Sequence, residues 1–343
     1  MKRKVAVLFG GKSTEHEVSR VSATSVIRNI DRNTYEVYPI GISKDGLWIQ
    51  FNGLVDKIES GEWESDLEHL ISNGQNLLFN REVDVVFPVL HGLYGEDGTI
   101  QGLCRLVNIP CVGPGVLSSA ICMDKVYTKY ILESFGVKQA DYIVVNSKRY
   151  YEDIEYYLNV IEVKLGYSVF IKPSNSGSSV GITKAHNREE LKIGIESALE
   201  YDRKVLVEKA INCKEVEVAV LGNDFPKAAI PGEIVPCKEF YDYEAKYKSE
   251  TSKLLIPADL TEDKMVTIKE MALKVYNILD CAGMARVDFL VDKDTEEIYL
   301  NEVNTIPGFT NISMYPKMWQ AAGLPYSELI SDLIELAIER NNN

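Results

Sequence analysis

Between Lys4 and about Met123, short β-branched runs alternate with helix-spaced stretches, and no other feature restricts the fold so tightly: Val5 to Phe9, Val18 to Ile30, Tyr35 to Ile42, Val83 to Val89, Leu103 to Val107. Strands separated by helices return to pair in parallel, so the alternation predicts a parallel sheet flanked by helices. The first run ends at Gly10-Gly11 and its loop leads into a helix, at the edge where open α/β sheets bind ligands. Pro114 and Gly115 precede one helix predicted from about Leu117 to Phe135, ended by Gly136.

A chain of 343 residues has material for two or three domains. Residues 1–125 read as an α/β domain. Residues 126–210 read as a small α+β unit, with a strand at Tyr167 to Lys172, a helix near 188–200 and a strand at Val205 to Glu208. Residues 211–343 carry strands near Val216 to Leu221 and Lys227 to Ile234, then the turn-rich polar stretch 238–253, which is long for a structureless loop and is predicted to be a lid. A helix from Thr261 to about Leu279, with Met265, Ile268, Ala272, Val275 and Leu279 on one stripe, precedes a hairpin of Arg286 to Val291 and Ile298 to Asn304. Leu329, Ile330, Leu333, Leu336 and Ala337 stripe a closing helix.

The formal net charge of −14 repels phosphate backbones and anionic lipid, which argues against nucleic acid or a membrane surface as partner. No stretch approaches the roughly 20 apolar residues of a membrane span. The basic opening resembles a signal peptide, but its apolar run stops after five residues and reads better as a strand. The six cysteines form no CxxC pair, which fits a soluble protein of a reducing cytoplasm.

Chemistry concentrates in the hairpin. Arg286 and Asp288 share one strand face, Glu302 and Asn304 one face of the returning strand, and a turn centred near residue 294 puts Arg286 opposite Glu302. Two carboxylates and a carboxamide are hard oxygen donors suited to Mg²⁺ shared with nucleotide phosphates; the alternative is a solvated polar face around an Arg286 to Glu302 ion pair. Val287, Phe289, Val291 and Val303 point to the core side. The run Lys172-Pro173-Ser174-Asn175-Ser176-Gly177-Ser178-Ser179-Val180-Gly181 is a strand end and a hydroxyl-rich loop that can wrap a polyphosphate, or a plain flexible hairpin loop. Gly11-Lys12-Ser13 fails as a Walker A loop because Ala6 stands where a glycine is required, and no GxGxxG follows the first strand. Carboxylates at Gly10 to Ser19 either grip an ammonium or complement a helix dipole, and His91 opens a glycine-rich loop after a strand.

Taken in order, GGKSTEHEVS, HGLYGEDGTIQG, KPSNSGSSVG, EFYDYEAKY, ARVDF and NEVNTIPGFT resemble the D-alanine:D-alanine ligases of the ATP-grasp superfamily, over Gly10 to Pro316. The resemblance implies an α/β ATP-grasp fold of three domains and an ATP-dependent ligase of peptidoglycan synthesis. Lys125 and Lys172 then resemble phosphate-binding lysines, and Ser174 to Val180, with Ser178, the loop over the phosphates. Glu208, Lys209, Ala210 and Ile211 would frame adenine and Glu215 the ribose, while Asp288, Glu302 and Asn304 would hold two Mg²⁺ ions, for which Mn²⁺ can substitute. Arg286 resembles the arginine that steadies the transferring phosphoryl group. Glu15 would anchor the first D-alanine's ammonium, backed by His91, Ser178 and Ser179; Lys246 and Tyr247 would close the site; Gly308, Ser313 and Met314 would receive the second amino acid. It also implies a homodimer. A D-serine or D-lactate acceptor in the same fold, and a catalytically dead nucleotide-binding regulator, are the competing readings.

Overall fold

Val5, Val7 and Phe9 point to one face of the first strand, Ala6 and Leu8 to the other, and all five are completely buried. A strand apolar on both faces belongs in the middle of a covered sheet. In the computed structural model, which describes residues 2–72, 75–178, 180–235, 253–310 and 312–342, this strand is β1 (Arg3–Gly10). It joins β2 (Tyr35–Ile42), β3 (Trp48–Phe51), β4 (Leu70–Ser72) and β5 (Val85–Pro88) in the order β4-β3-β2-β1-β5. β1 pairs in parallel with β2 and β5, as predicted, but β3 and β4 add antiparallel, so the sheet is mixed. The reason is chain length: Ser43 to Leu47 closes a tight turn after β2, too short for the crossover that a parallel return needs.

The predicted single helix across 117–135 is two helices, Val116–Met123 and Lys125–Ser134. Asp124 breaks it: its backbone is extended and its carboxylate accepts the N–H of Tyr127, capping the second helix. The central sheet is antiparallel throughout, with β6 (Tyr142–Asn146), β7 (Val169–Pro173), β8 (Thr183–Ala185) and β9 (Lys204–Lys209) in the order β6-β9-β7-β8. Helices Ile154–Leu165 and Arg188–Ala198 supply Leu158, Ile161, Leu191 and Ile195 to its core.

The third sheet orders β13 (Lys253–Leu255), β12 (Gly232–Val235), β10 (Cys213–Gly222), β14 (Gly283–Asp292) and β15 (Ile298–Asn304), with the short β11 (Lys227–Ala228) on β10. The strand predicted over Lys227 to Ile234 is interrupted ahead of Pro231, which has no N–H for a ladder. Helix Glu262–Ile278 lays Ile268, Ala272 and Val275 on Val216, Val218, Val287 and Phe289.

The hairpin register differs from the expected one. Arg286 lies opposite Asn304, and Asp288 opposite Glu302. The turn extends the last pair to Val291 and Ile298, and a bulge at Asn301 adds a further residue. Two slips of one residue restore the original face, so the four polar side chains still share it and Val287 and Val303 stay in the core.

Candidate active site

The central and C-terminal sheets enclose a cavity of about 720 Å³ lined by Phe170, Lys172, Glu208 to Asn212, Glu215, Arg286, Asp288 and Glu302. Lys172 stands next to the end of β7, and its ammonium lies 2.7 Å from Glu208 Oε2 and 3.3 Å from Asn301 Oδ1. The other Glu208 oxygen lies 2.6 Å from the buried Lys129 ammonium. Burial pushes the Glu208 carboxyl up, but the charges of Lys129 and then Lys172 overcome it and hold the group down at about 2. Lys209 and Ala210 cross between the sheets, their N–H groups donating to the Asp141 and Ser168 carbonyls. Ile211 and Glu215 complete the wall.

The loop after β7 is moored at its base. Ser174 is fully buried, with its hydroxyl donating to Asp124 Oδ1 at 2.6 Å, so it anchors the loop. Lys204 binds the other Asp124 oxygen. Lys125 Nζ donates to the Ser176 carbonyl at 2.6 Å. Ser178, with a positive φ of 46°, carries its hydroxyl to Glu15 Oε1.

On the shared face of the hairpin, Arg286 grips Asp288 with two parallel hydrogen bonds of 2.8 and 2.7 Å, and its Nε lies 3.1 Å from Glu217 Oε2. Asn304 Nδ2 donates to Asp288 Oδ2 at 2.9 Å. Burial opposes the Arg286 charge, and Asp288, then Glu217, more than compensate, raising its pKa well above the ordinary value. The expected Arg286 to Glu302 pairing is therefore replaced by Arg286 with Asp288 and Glu217. Among the described residues no three His, Cys, Asp or Glu side chains gather into a ready cation cage. Asp288, Glu302 and the Asn304 carboxamide nonetheless fit a hard divalent ion that takes its remaining ligands from phosphate and water.

Glu15, buried, begins the helix His16–Asn29 beyond β1. It is closely wrapped: a Cβ at Gly92 or at Gly177 would lie 2.7 Å from its Oε2. His91, also buried, sits 3.1 Å through Nδ1 from the Ile306 carbonyl and 2.9 Å through Nε2 from the Ser22 hydroxyl, bridging that helix to the segment after β15. Glu96 accepts the N–H groups of Gly92 (2.8 Å) and Ile306 (3.0 Å). Burial first, and then the Glu15 charge, push its carboxyl up to about 7, while the N–H bonds from Gly92 and Ile306, and after them the Arg286 charge, pull the other way, so Glu96 stands within electrostatic reach of Glu15 and Arg286. In the segment expected from the resemblance to receive the second amino acid, the Ser313 hydroxyl meets Thr310 and Met314 starts the helix Met314–Ala321. The Met314 side chain is buried, with Cε 2.2 Å from where a Gly232 Cβ would stand. Gly308 packs closely on the same serine: a Cβ there would lie 2.8 Å from Ser313 Oγ, which would have to shift.

Ser179, Lys246 and Tyr247 lie outside the described residues, as does the predicted lid except Lys253, which starts β13. Sequence reasoning passed over Glu96, Glu217, Lys129 and Asp124. Glu217 alternates with Val216 and Val218, a signal for the polar face of β10; Glu96 lay inside a quoted motif; Lys129 and Asp124 gave none.

Comparison with known proteins agrees with this geometry. Residues 4–114 match the family described as D-ala D-ala ligase N-terminus, and residues 131–335 the D-ala D-ala ligase C-terminus. The chain is 70% identical, over 100% of both chains, to the D-alanine–D-alanine ligase of Clostridium novyi. Among solved structures, the VanG D-Ala:D-Ser ligase of Enterococcus faecalis superposes with a TM-score of 0.87 at 40% identity, covering 98% of this chain and 100% of that one. The D-alanine-D-alanine ligase of Coxiella burnetii gives 0.86 at 35%, covering 99% and 96%. With both family halves matched in order and the sheets arranged as in these enzymes, the chain belongs to the D-alanine–D-alanine ligase family and has its ATP-grasp fold.

Proposed function

We propose that the chain joins two D-alanine molecules, using ATP, through a D-alanyl phosphate. The observation that carries this is the meeting of Glu15 and Ser178: a carboxylate at the start of the helix that follows the first strand is met by the hydroxyl of a polyphosphate-type loop 163 residues away. Glu15 is suited to an ammonium and the loop to phosphates, so the amino acid's carboxylate would face the γ-phosphoryl group. Lys125 and Lys172 would neutralise phosphate oxygens, and Arg286, locked by Asp288 and Glu217, would present fixed positive charge to the moving group. Asp288, Glu302 and Asn304 would hold Mg²⁺, which when bound supplies charge neutralisation and alignment of the phosphates. The carboxylate oxygen attacks the γ-phosphorus and ADP leaves; the second molecule's ammonium then loses a proton to solvent, the amine so formed attacks the acyl carbon, and the acyl C–O bond breaks to release phosphate, which takes the nitrogen's second proton. The N–H groups at the start of Met314–Ala321 would receive that molecule's carboxylate.

Identity of 70% to a D-alanine–D-alanine ligase against 40% to a D-Ala:D-Ser ligase favours D-alanine as acceptor. Among the described residues no helix is long and apolar enough to cross a membrane, in keeping with a cytoplasmic enzyme, and the family resemblance adds a homodimer, testable by sedimentation. Phosphate release with ATP and Mg²⁺ is expected with D-alanine and not L-alanine, with the dipeptide identified by mass. D-alanyl-D-serine as main product from an equimolar mixture would overturn the acceptor assignment.

A further inference from the structure

Glu208 lies between two ammonium groups of different standing. Lys172 lines the cavity, whereas Lys129 is buried beneath the Tyr142 ring, its Nζ 5.1 Å from the ring centroid, and does not line the cavity. A phosphate can therefore draw Lys172 away but cannot reach Lys129. Were Lys172 the sole partner of Glu208, moving it would strand a buried carboxylate, whose cost would be subtracted from nucleotide affinity.

We propose that Lys129 is a positioning residue: a resident counter-ion that keeps Glu208 paired while Lys172 is handed from Glu208 to the nucleotide's phosphates. This rests on the reading of Lys172 as a phosphate-binding lysine. The charged and titratable groups around Glu208 are few. Lys129 comes from helix Lys125–Ser134, Lys172 from β7 and Tyr142 from the paired strand β6, and Glu215 and Glu302 act on Lys172 from the C-terminal sheet. Lys129 outranks Lys172 among the causes that lower the Glu208 pKa, as expected if it carries most of the compensation.

The consequence is a change in proton count. With Lys129 present, Glu208 stays ionised when Lys172 leaves, and nucleotide binding moves no proton at this group. In Lys129→Met, withdrawal of Lys172 forces Glu208 to take up a proton, so binding weakens as pH rises. ADP binding is measured by titration calorimetry from pH 7.5 to 9, in buffers of different ionisation enthalpy. Lys129→Met should bind at least about tenfold more weakly than wild type, an unpaired buried charge being costly. It should also take up close to one extra proton, whereas Lys129→Arg should resemble wild type. In a Glu208→Gln background, with no carboxylate left to pair, Lys129→Met should cost little further affinity and take up no extra proton. Thermal unfolding confirms that each variant is folded, and Lys129→Gln replaces Lys129→Met if that one is not.

Unchanged proton uptake in folded Lys129→Met or Lys129→Gln, or an undiminished loss of affinity from Lys129→Met in the Glu208→Gln background, would overturn the proposal. Lys172→Met separates the two levels. If it leaves ADP affinity unmoved, the phosphate reading of Lys172 fails and the hand-over with it. If it weakens binding while Lys129→Met does not, only the hand-over fails.

Discussion

Asp288 and Glu302 face each other across the hairpin, yet their chemistry differs. Asp288 is bonded to the Arg286 guanidinium at two points, so Asp288→Asn removes both a donor for a cation and the main partner of a buried charge. It should abolish turnover and also cost about 1–3 kcal/mol of stability, less than a fully orphaned charge because Glu217 remains beside Arg286. Glu302→Gln should also abolish turnover, since it removes charge from a cation ligand without changing its size. Kinetics at saturating Mg²⁺ for both variants and urea unfolding of Asp288→Asn check this, and near-normal turnover in either removes it from the metal set. Glu96 offers a second test. Its ordinary carboxyl pKa is 4.5 and its folded value about 7, so between those pH values the folded chain holds a proton that the unfolded chain has lost. Stability at this group is therefore lost as pH rises through that window. Glu96→Gln carries no such proton, and although it forfeits one accepted N–H bond, its stability relative to wild type should climb by up to roughly 3 kcal/mol from pH 4.5 to 7, then level off. A pH-independent difference would show that the Glu96 carboxyl is not shifted.

At the scale of elements, what the sequence made legible was periodicity. Alternation identified both faces of the hairpin even though the register was misjudged, because the turn and the Asn301 bulge together moved the pairing by two residues, a full strand period. An odd total would have sent Arg286 and Asp288 into the core. The helix break at Asp124 was hidden for the opposite reason. Its immediate neighbours, Met123 and Lys125, are good helix formers, and the carboxylate is held there by partners that only the fold brings near, Ser174 and Lys204. The same holds for Met314, which reads as a site residue in its motif but points its side chain into the core against Gly232. These points bear on the start of helix Met314–Ala321. Gly308→Ala would press a methyl group within 2.8 Å of Ser313 Oγ and displace the helix's open N–H groups. The KM for the acceptor D-alanine should rise about tenfold or more while ADP affinity holds, since misplacing a positioning group is costly there and the nucleotide cavity is untouched. A loss of nucleotide affinity equal to the loss for acceptor would mean that the change spreads through the hairpin instead.

At the scale of the whole molecule, sequence order and packing part company. The first 125 residues read as a domain, and all five strands of the first sheet do come from them. Yet the face of β1 that carries Val5, Val7 and Phe9 shares one core with Leu329, Ile330, Leu333, Ile334 and Ala337 of the closing helix Tyr326–Asn342. That helix also touches β5, β10 and β14, and its Arg340 donates to the Gly113 and Cys111 carbonyls at 2.6 and 3.0 Å. The last helix is thus a wedge between the N-terminal and C-terminal sheets. Its apolar stripe was visible in the sequence, but a stripe names no partner, so its docking on a sheet some 300 residues earlier was not. Removing the helix would expose the side chains it covers, each worth about 1.5–3 kcal/mol when buried, which together rival the total stability of an ordinary domain. Residues 1–125 expressed alone, or the chain cut after Pro325, should therefore lose fixed packing in the first sheet. The expected signs are dye binding to exposed apolar surface, loss of the near-ultraviolet signal of Trp63 and a broadened thermal transition, whereas the full chain should unfold the first sheet and the closing helix together. A cut chain that keeps a sharp transition and a protected Trp63 would show that the N-terminal sheet is stable without its wedge, and that the boundary at residue 125 separates units that fold independently.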